Sequence, residues 1–391
     1  AKMAEAKNFS DAATLAPGET LVRDNETITN GQDGTVTVDL GNDGTVDVTI
    51  RLPQAGDIQV DANGKITIPA GGTVQVGNGE VTTLPDGGTV DADGNVEDPS
   101  AKPEKPFGGS GTAQDPYKIT SKDDLEKLRD LVNDGKDYEG IHFKVTADIN
   151  LEGSGQDPWT PIGTAEHPFK GTLDGNGKTV SGLHINDGTK DNQGLFGVNG
   201  GTIENLTVAG TVTGKDNVGG IAGTNTAAGT VKGCTSNVTV TGENNVGGIA
   251  GKNDGTITGG TNNGTVTGTG TGVGGIAGRN DGTLDGDTNT APVTGKDDVG
   301  GIAGTNGTNG TVEGCTNSGN VTVSGDGDST PGAIIGNNQN TSPDAVKDDY
   351  YQKTDSTNKD LSGIGEGTGA GEDPAGITSG QTPTNPGNPI D

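Results

Sequence analysis

The sequence predicts an all-β fold, a three-sided β-solenoid preceded by a small β-rich module, and three observations carry that prediction. The first is a near-repeat: "NVGGIAGTN" at Asn217 returns as "NVGGIAGKN" at Asn245, "GVGGIAGRN" at Gly272 and "DVGGIAGTN" at Asp298. The second is its period. Aligning Leu195 of "GLFG" with Ile221, Ile249, Ile276, Ile302 and Ile334 gives steps of 26, 28, 27, 26 and 32 residues, a spacing typical of stacked coils. The third is composition. Hydrophobic residues make up 27% and aromatic residues 3% of the chain, too little for a conventional thick core, yet Val and Ile fall regularly among Gly, Asn, Asp and Thr, as in short strands and turns.

Each coil reads as a strand around "GGIAG", a strand such as "GTVKG" and a strand such as "NVTVTG", separated by turns. Strands of one coil pair with their counterparts above and below, so Val218, Val246, Val273 and Val299 form one column and the Ile residues another. Full burial of each such side chain stabilises by about 1.5–3 kcal/mol. The paired glycines (Gly219-Gly220 and the copies at 247–248, 274–275 and 300–301) fall where a bend meets a strand, and need positive φ or close backbone approach. Cys234, Gly260, Asp287 and Cys315 share a column. Three strand spacings separate the cysteines by about 14 Å, beyond the ~7 Å limit for a disulfide, which predicts two free, buried thiols.

Residues 1–16 read as an N-terminal segment and 17–99 as a β-rich repeat module, either a compact all-β unit or a narrow solenoid. "LPQAGDIQV" at Leu52, "IPAGGTVQV" at Ile68 and "LPDGGTVDA" at Leu84 recur there at a 16-residue step. Residues 100–106 read as a Pro-rich linker, 107–370 as the solenoid and 371–391 as a C-terminal linker. One helix is predicted over 121–133, "SKDDLEKLRDLVN". Ser121 and Asp124 suit its N-cap, Leu125, Leu128, Leu131 and Val132 share a face, and Gly135 follows its end. A lone amphipathic helix before a strand array is placed to cover the array's open end.

A formal charge of −30 argues against nucleic acid and anionic lipid as partners, since both are bound through Lys and Arg. A solvated polyanionic face is the ordinary reading of such acidity. No apolar run is long enough to insert in a membrane. "AKMAEAKNFS" lacks the apolar stretch of a signal peptide, so the chain reads as a mature or excised piece.

The motifs "GSGTAQDPYKITSKDDLEKLRDLVN", "HFKVTADINLEG", "WTPIGT", "FKGTLDGNGKTVSGLHI", "GLFG" and repeated "GIAG" follow one another in an order that resembles bacterial surface proteins with GLUG-type repeats. These include large adhesins and the accessory region of IgA-cleaving metalloproteases. The resemblance covers 107 to about 370. It implies a right-handed parallel β-helix, a secreted or wall-attached location and a role in presentation or adhesion. It supplies no catalytic residues.

The residues themselves offer little chemistry. A zinc peptidase needs His-Glu-x-x-His, whereas His142, His167 and His184 are isolated. Asp174 and Asp148 are the nearest approach to a glycosidase pair, but an Asp before Gly-Asn-Gly ordinarily bonds its own turn. Calcium is the one cofactor considered: "NDG" at Asn42, Asn253 and Asn280 and "DADGNVED" from Asp91 offer clustered oxygens, without the spacing of an EF-hand. No catalytic, cofactor or metal-ligand residues are assigned.

"TVT" at Thr211, Thr239 and Thr265, "PVT" at Pro292 and "TVS" at Thr322 suggest a hydroxyl ladder. Such ladders resemble ice-binding surfaces, although Thr is simply a good strand residue. The expectation is a non-enzymatic extracellular adhesin, stalk or scaffold that binds a host or matrix protein or glycan through Lys215, Glu243, Lys252, Arg279 and Lys296. A subunit of a self-associating fibre or surface array, and an accessory region of a secreted protease, are the alternatives.

Overall fold

The computed structural model describes residues 6–7, 11–100, 106–325, 329–353, 357–367 and 375–377. The chain divides into two compact units, Ala1–Lys105 and Pro106–Asp391.

The first unit is built from two antiparallel sheets around one core. A seven-stranded sheet runs in the order 6–7, 20–23, 26–30, 35–40, 48–51, 72–76, 82–84, and a five-stranded sheet in the order 96–97, 88–90, 66–68, 58–60, 13–15. One pair, Ala6–Lys7 with Thr20–Arg23, is parallel. Alternation gives the core: in Glu26–Asn30 and Val48–Arg51 every second residue is buried. Leu21, Ile28, Val36, Ile50, Ile58, Ile66, Val74 and Leu84 form one cluster. The 16-residue step is real, but successive copies place Ile58–Val60, Gly72–Val76 and Gly88–Val90 in alternate sheets. This sandwich replaces the narrow-solenoid reading. It also starts before residue 17, because Ala13–Leu15 is the edge strand on Ile58–Val60.

The second unit is a parallel β-solenoid. The strand Tyr117–Ile119 opens a nine-stranded sheet, beside which run sheets of twelve, seven and four strands. Every pairing among them is between strands of successive coils. A central coil runs through all four: Thr230–Lys232, Thr235–Gly242, Asn244–Gly247 and Ala250–Asn253. The expected three strands per coil are therefore four in this region, because "NVGGIAGKN" is two strands parted by Gly248-Ile249. The solenoid also extends past residue 370, since Ala375–Ile377 pairs with Tyr350–Gln352. The stretch after Tyr351 contributes the strand Ile364–Glu366, which pairs with Ile335–Asn338.

Two kinds of glycine make this path. At the corner after each of the last six strands of the nine-stranded sheet, Asn205, Gly233, Gly259, Gly286, Gly314 and Asp348 follow residues that pair in register. All six have φ between 53° and 65°, where only Gly, Asn and Asp sit cheaply. The "VGG" glycines differ. They have no positive φ, but a Cβ on Gly219 would lie 2.7 Å from Ala250 Cα, and one on Gly247 2.8 Å from Ala277 Cα. Close approach of consecutive coils is what demands glycine there.

The predicted columns are in register. Val218, Val246, Val273 and Val299 pair in order, and they and the Ile column from Ile221 to Ile334 are fully buried. Beside these apolar columns runs a polar one. The last Asn of each repeat donates through its side-chain amide to the next: Asn199 to Asn225 (2.9 Å), Asn225 to Asn253 (2.8 Å), Asn253 to Asn280 (2.8 Å), Asn280 to Asn306 (2.9 Å) and Asn306 to Asn338 (3.0 Å). A second ladder links Asn262, Asn289 and Asn317 at 2.8 Å each. Burial in a polar-poor interior is tolerable because every amide is bonded.

The helix spans Lys122–Asn133. Ser121 Oγ accepts from the Asp124 N–H, and Asp124 Oδ2 accepts from the Thr120 N–H. Leu125, Leu128 and Val132 join the solenoid's core at its first coil, with Leu131 partly buried. The rings of Phe107, Tyr117, Tyr138, Phe143, Phe169 and Phe196 pack in the same region with centroids 5.0–6.1 Å apart. Most of the chain's few aromatics thus lie at this end.

Both cysteines are free and buried. Burial pushes the Cys234 thiol up to about 11 and the Cys315 thiol well above its usual value. Native protein is therefore expected to resist a thiol reagent at pH 8 and to take up label at both positions only after denaturation. Rapid labelling of the folded chain would contradict the placement.

The same column holds two buried carboxyls. Asp287 accepts from the Gly260 N–H (2.7 Å) and Asp349 from the Cys315 N–H (2.7 Å), while Oδ2 of each has no partner among the described residues. Burial raises both well above the usual carboxyl range. The folded state thus holds these protons more tightly than the unfolded chain, whose Asp titrates near 3.9. Their contribution is fully present below that value and is lost as pH rises towards the raised folded pKa. Stability is expected to fall between mildly acid and neutral pH, and the double variant Asp287→Asn, Asp349→Asn should flatten the slope. Denaturation midpoints across that range check it.

Candidate functional surfaces

The residues expected to project together fall into two places. Lys215, Glu243 and Lys296 are exposed at the corner where the twelve-stranded sheet ends, stacked through Glu243 N–H to Lys215 O (2.7 Å) and Gly270 N–H to Glu243 O (2.8 Å). Lys252 and Arg279 lie elsewhere. They are register partners in the seven-stranded sheet, half-buried and already paired, Lys252 with Asp254 at 3.0 Å and Arg279 with Asp281 at 2.7 Å. Their charge is compensated locally, so the five do not form one surface.

The threonine ladder is present in a different register. Thr213, Thr241, Thr267, Thr294 and Thr322 make one file. Thr207, Thr235, Thr261, Thr288 and Thr316 make another. Thr322 therefore stands beside Thr294, not in the file of Thr211, Thr239, Thr265 and Pro292, which Asn320 continues. The motif "SGNVTVSG" has a different spacing from "NNGTVTG", and only the paired Val293 and Val321 fix the alignment.

Together these files form a strip with a property not anticipated from the sequence. The segments 207–213, 235–242, 261–268, 288–295 and 316–323 contain no Asp, Glu, Lys or Arg, in a chain whose residues are 20% charged. Charges return on both flanks, at Lys232, Asp285 and Glu313 on one side and Lys215, Glu243 and Lys296 on the other. Hydroxyls and amides on the strip bond one another: Asn263 donates to Asn237 (3.0 Å) and Thr290 to Asn263 (2.7 Å). His184 joins its end, with Nδ1 3.1 Å from the Thr211 hydroxyl.

The candidate ligand and catalytic groups are occupied in local structure. Asp174 accepts from the Asn176 N–H (2.8 Å) and so serves its own turn, while Asp148 accepts from the Thr179 N–H (2.9 Å) and ties its coil to the next. Asn253 and Asn280 belong to the interior ladder, which removes them as surface cation ligands. Asp91 accepts from the Asp93 and Asn95 N–H groups. That arrangement, with the Asn95 amide first among its causes, holds its carboxyl below the usual range. Near Asn42, Asp39, Asp43 and Asp47 each place an oxygen within 4.8 Å of the others, but these carboxylates accept from the N–H groups of Asp43, Gly44, Thr45 and Leu40. Among the described residues no helix is long and apolar enough to cross a membrane.

Fold and surfaces define a parallel β-solenoid repeat module preceded by a β-sandwich. No family model matches the chain. Of the curated proteins, Halomucin of Haloquadratum walsbyi is 38% identical over 126 residues, 30% of this chain and 1% of that protein. A "Putative Gly-rich membrane protein" of Evansella cellulosilytica is 36% identical over 127 residues, 30% of this chain and 14% of that protein. The chain thus spans a small part of the length of either. Among solved structures, a "putative immunoglobulin A1 protease from Bacteroides ovatus" aligns with TM-score 0.54 and 21% identity, over 69% of this chain and 86% of the other. That likeness supports the solenoid fold.

Proposed function

We propose that the chain is a non-enzymatic module of an extracellular or wall-attached bacterial surface protein, serving as a rigid adhesive scaffold. The observation that carries this reading is the double tie between coils. From Asn199 to Asn338 each coil is bonded to the next by backbone ladders in register and, inside, by the asparagine ladders. The similarity to Halomucin and to a Gly-rich membrane protein supports a surface setting. Host or matrix proteins or glycans would meet the side faces, through Lys215, Glu243 and Lys296 and the uncharged strip between the flanking charges.

Hydrogen exchange of the full chain tests the scaffold. Amides from Val218 to Asn338 are expected to exchange slowly and together, whereas independent opening of single coils would overturn it. Cell fractionation with an antibody tests the location, and recovery from the cytoplasm alone would refute it.

A further inference from the structure

The geometry points to a saccharide-binding cleft beside Trp159, taking a neutral sugar unit. It lies where the repeat is broken. From Asp216 onward the corner that follows the twelve-stranded sheet is closed by strands of the four-stranded sheet. The two preceding coils contain no such strand. Residues 158–161 occupy that place in one and 187–193 in the next, where Gln193 makes a single bridge to Val218. The gap between these stretches is a cleft of about 350 Å³, above the ~300 Å³ at which ligand clefts begin.

Its walls are fixed before any ligand arrives. The Trp159 indole N–H donates to Leu195 O (3.0 Å), its backbone N–H donates to His184 O (2.8 Å), and the Arg129 guanidinium lies 4.8 Å from the ring centroid. The Asn133 amide donates to Pro161 O (3.0 Å) and its Oδ1 accepts from the Gly163 N–H (2.8 Å). Such anchoring lowers the ordering cost of binding.

The lining selects the ligand class. Pro158, Pro161 and Ile185 supply an apolar surface suited to the C–H face of a pyranose. Around it stand the Thr160 hydroxyl and the Asn186 amide, neither hydrogen-bonded to a described residue, and the Asp191 carboxylate. These groups match a ring of hydroxyls that both donate and accept. A wholly apolar ligand would bury them unpaired, at a cost. An anionic ligand is opposed by Asp187 and Asp191, because the one lysine in the lining, Lys190, is committed to Asp187 at 3.4 Å, within a chain of charge −30. The cleft adjoins the end of the uncharged strip, where Asn186 pairs with Thr213, and the proposal stands or falls independently of the scaffold reading.

Trp159 is the chain's one tryptophan, so its emission and indole resonance report the cleft directly. The full chain is titrated with lactose, maltose, cellobiose and diacetylchitobiose at millimolar concentrations, and with a glucuronate-containing disaccharide as the anionic probe. The expected result is a saturable shift with at least one neutral disaccharide and none with the anionic one. Thr160→Val and Asn186→Ala, which remove groups with no partner among the described residues, should each weaken binding by about tenfold with unchanged melting. Absence of a shift with all four neutral sugars, an equal response to the anionic probe, or full affinity in both variants would overturn the proposal.

Discussion

Replacing Gly247 by alanine is expected to destabilise the solenoid by about 3 kcal/mol or more, whereas Gly188→Ala should change stability by no more than about 0.5 kcal/mol. Both changes add one methyl group. At Gly247 that methyl would meet the Ala250 carbonyl, Ala277 Cα and the Gly278 N–H, all main-chain atoms that cannot rotate away. At Gly188 it would meet nothing within 4 Å. Because φ at Gly247 lies outside the left-handed region, the penalty is steric and not conformational. Chemical denaturation followed by circular dichroism measures it. Similar midpoints for the two variants would show that the coils can separate locally to admit a side chain.

The second large effect is expected at Asn253. Its amide donates to Asn280 Oδ1, Gly255 O and Thr283 O, and its Oδ1 accepts from Asn225. Asn253→Ala removes these bonds and leaves Asn280 Oδ1 without its ladder donor, which should cost about 2–4 kcal/mol. Asn253→Asp is the sharper test. At neutral pH it sets a carboxylate against the Asn280 carbonyl oxygen, so it should cost more than alanine. Its burial raises the folded pKa, so stability should recover as pH falls through that value, when the protonated acid can again donate. Asn263→Asp, on the exposed strip, should cost less than about 1 kcal/mol at neutral pH. A pH-independent Asn253→Asp variant would mean that the ladder opens to water at this coil.

The two ladder residues also show how far the sequence could be read. The apolar columns were legible because Val and Ile recur at the coil period, and the helix because Ser121, Asp124 and the leucine spacing fix it. The final Asn of "GIAGTN", "GIAGKN" and "GIAGRN" recurs just as faithfully. Asparagine beside Gly usually marks a turn, so Asn253 and Asn280 read as surface groups, even as cation ligands. Only the pairing of Ala250 with Ala277 and of Asn253 with Asn280 shows that they face inward. Asp287 was legible as a member of the cysteine column, but its burial as an acid was not. That depends on Gly260 above it, whose missing side chain leaves a backbone N–H for the carboxyl to meet. The separation of Lys252 and Arg279 from Lys215 likewise follows from which residues lie within a strand and which at its end. A difference of a few residues decides that, and composition does not record it.

The asparagine ladder has a consequence for how such a chain can change in length. From Asn225 to Asn306 every rung presents the same acceptor to the coil before it and the same donor to the coil after it. Along this column the upper edge of one coil therefore fits the lower edge of another. A duplicated or deleted coil would leave a matched joint in this column, so unequal recombination within the repeat could lengthen or shorten the module by whole turns while the asparagine ladder stayed satisfied.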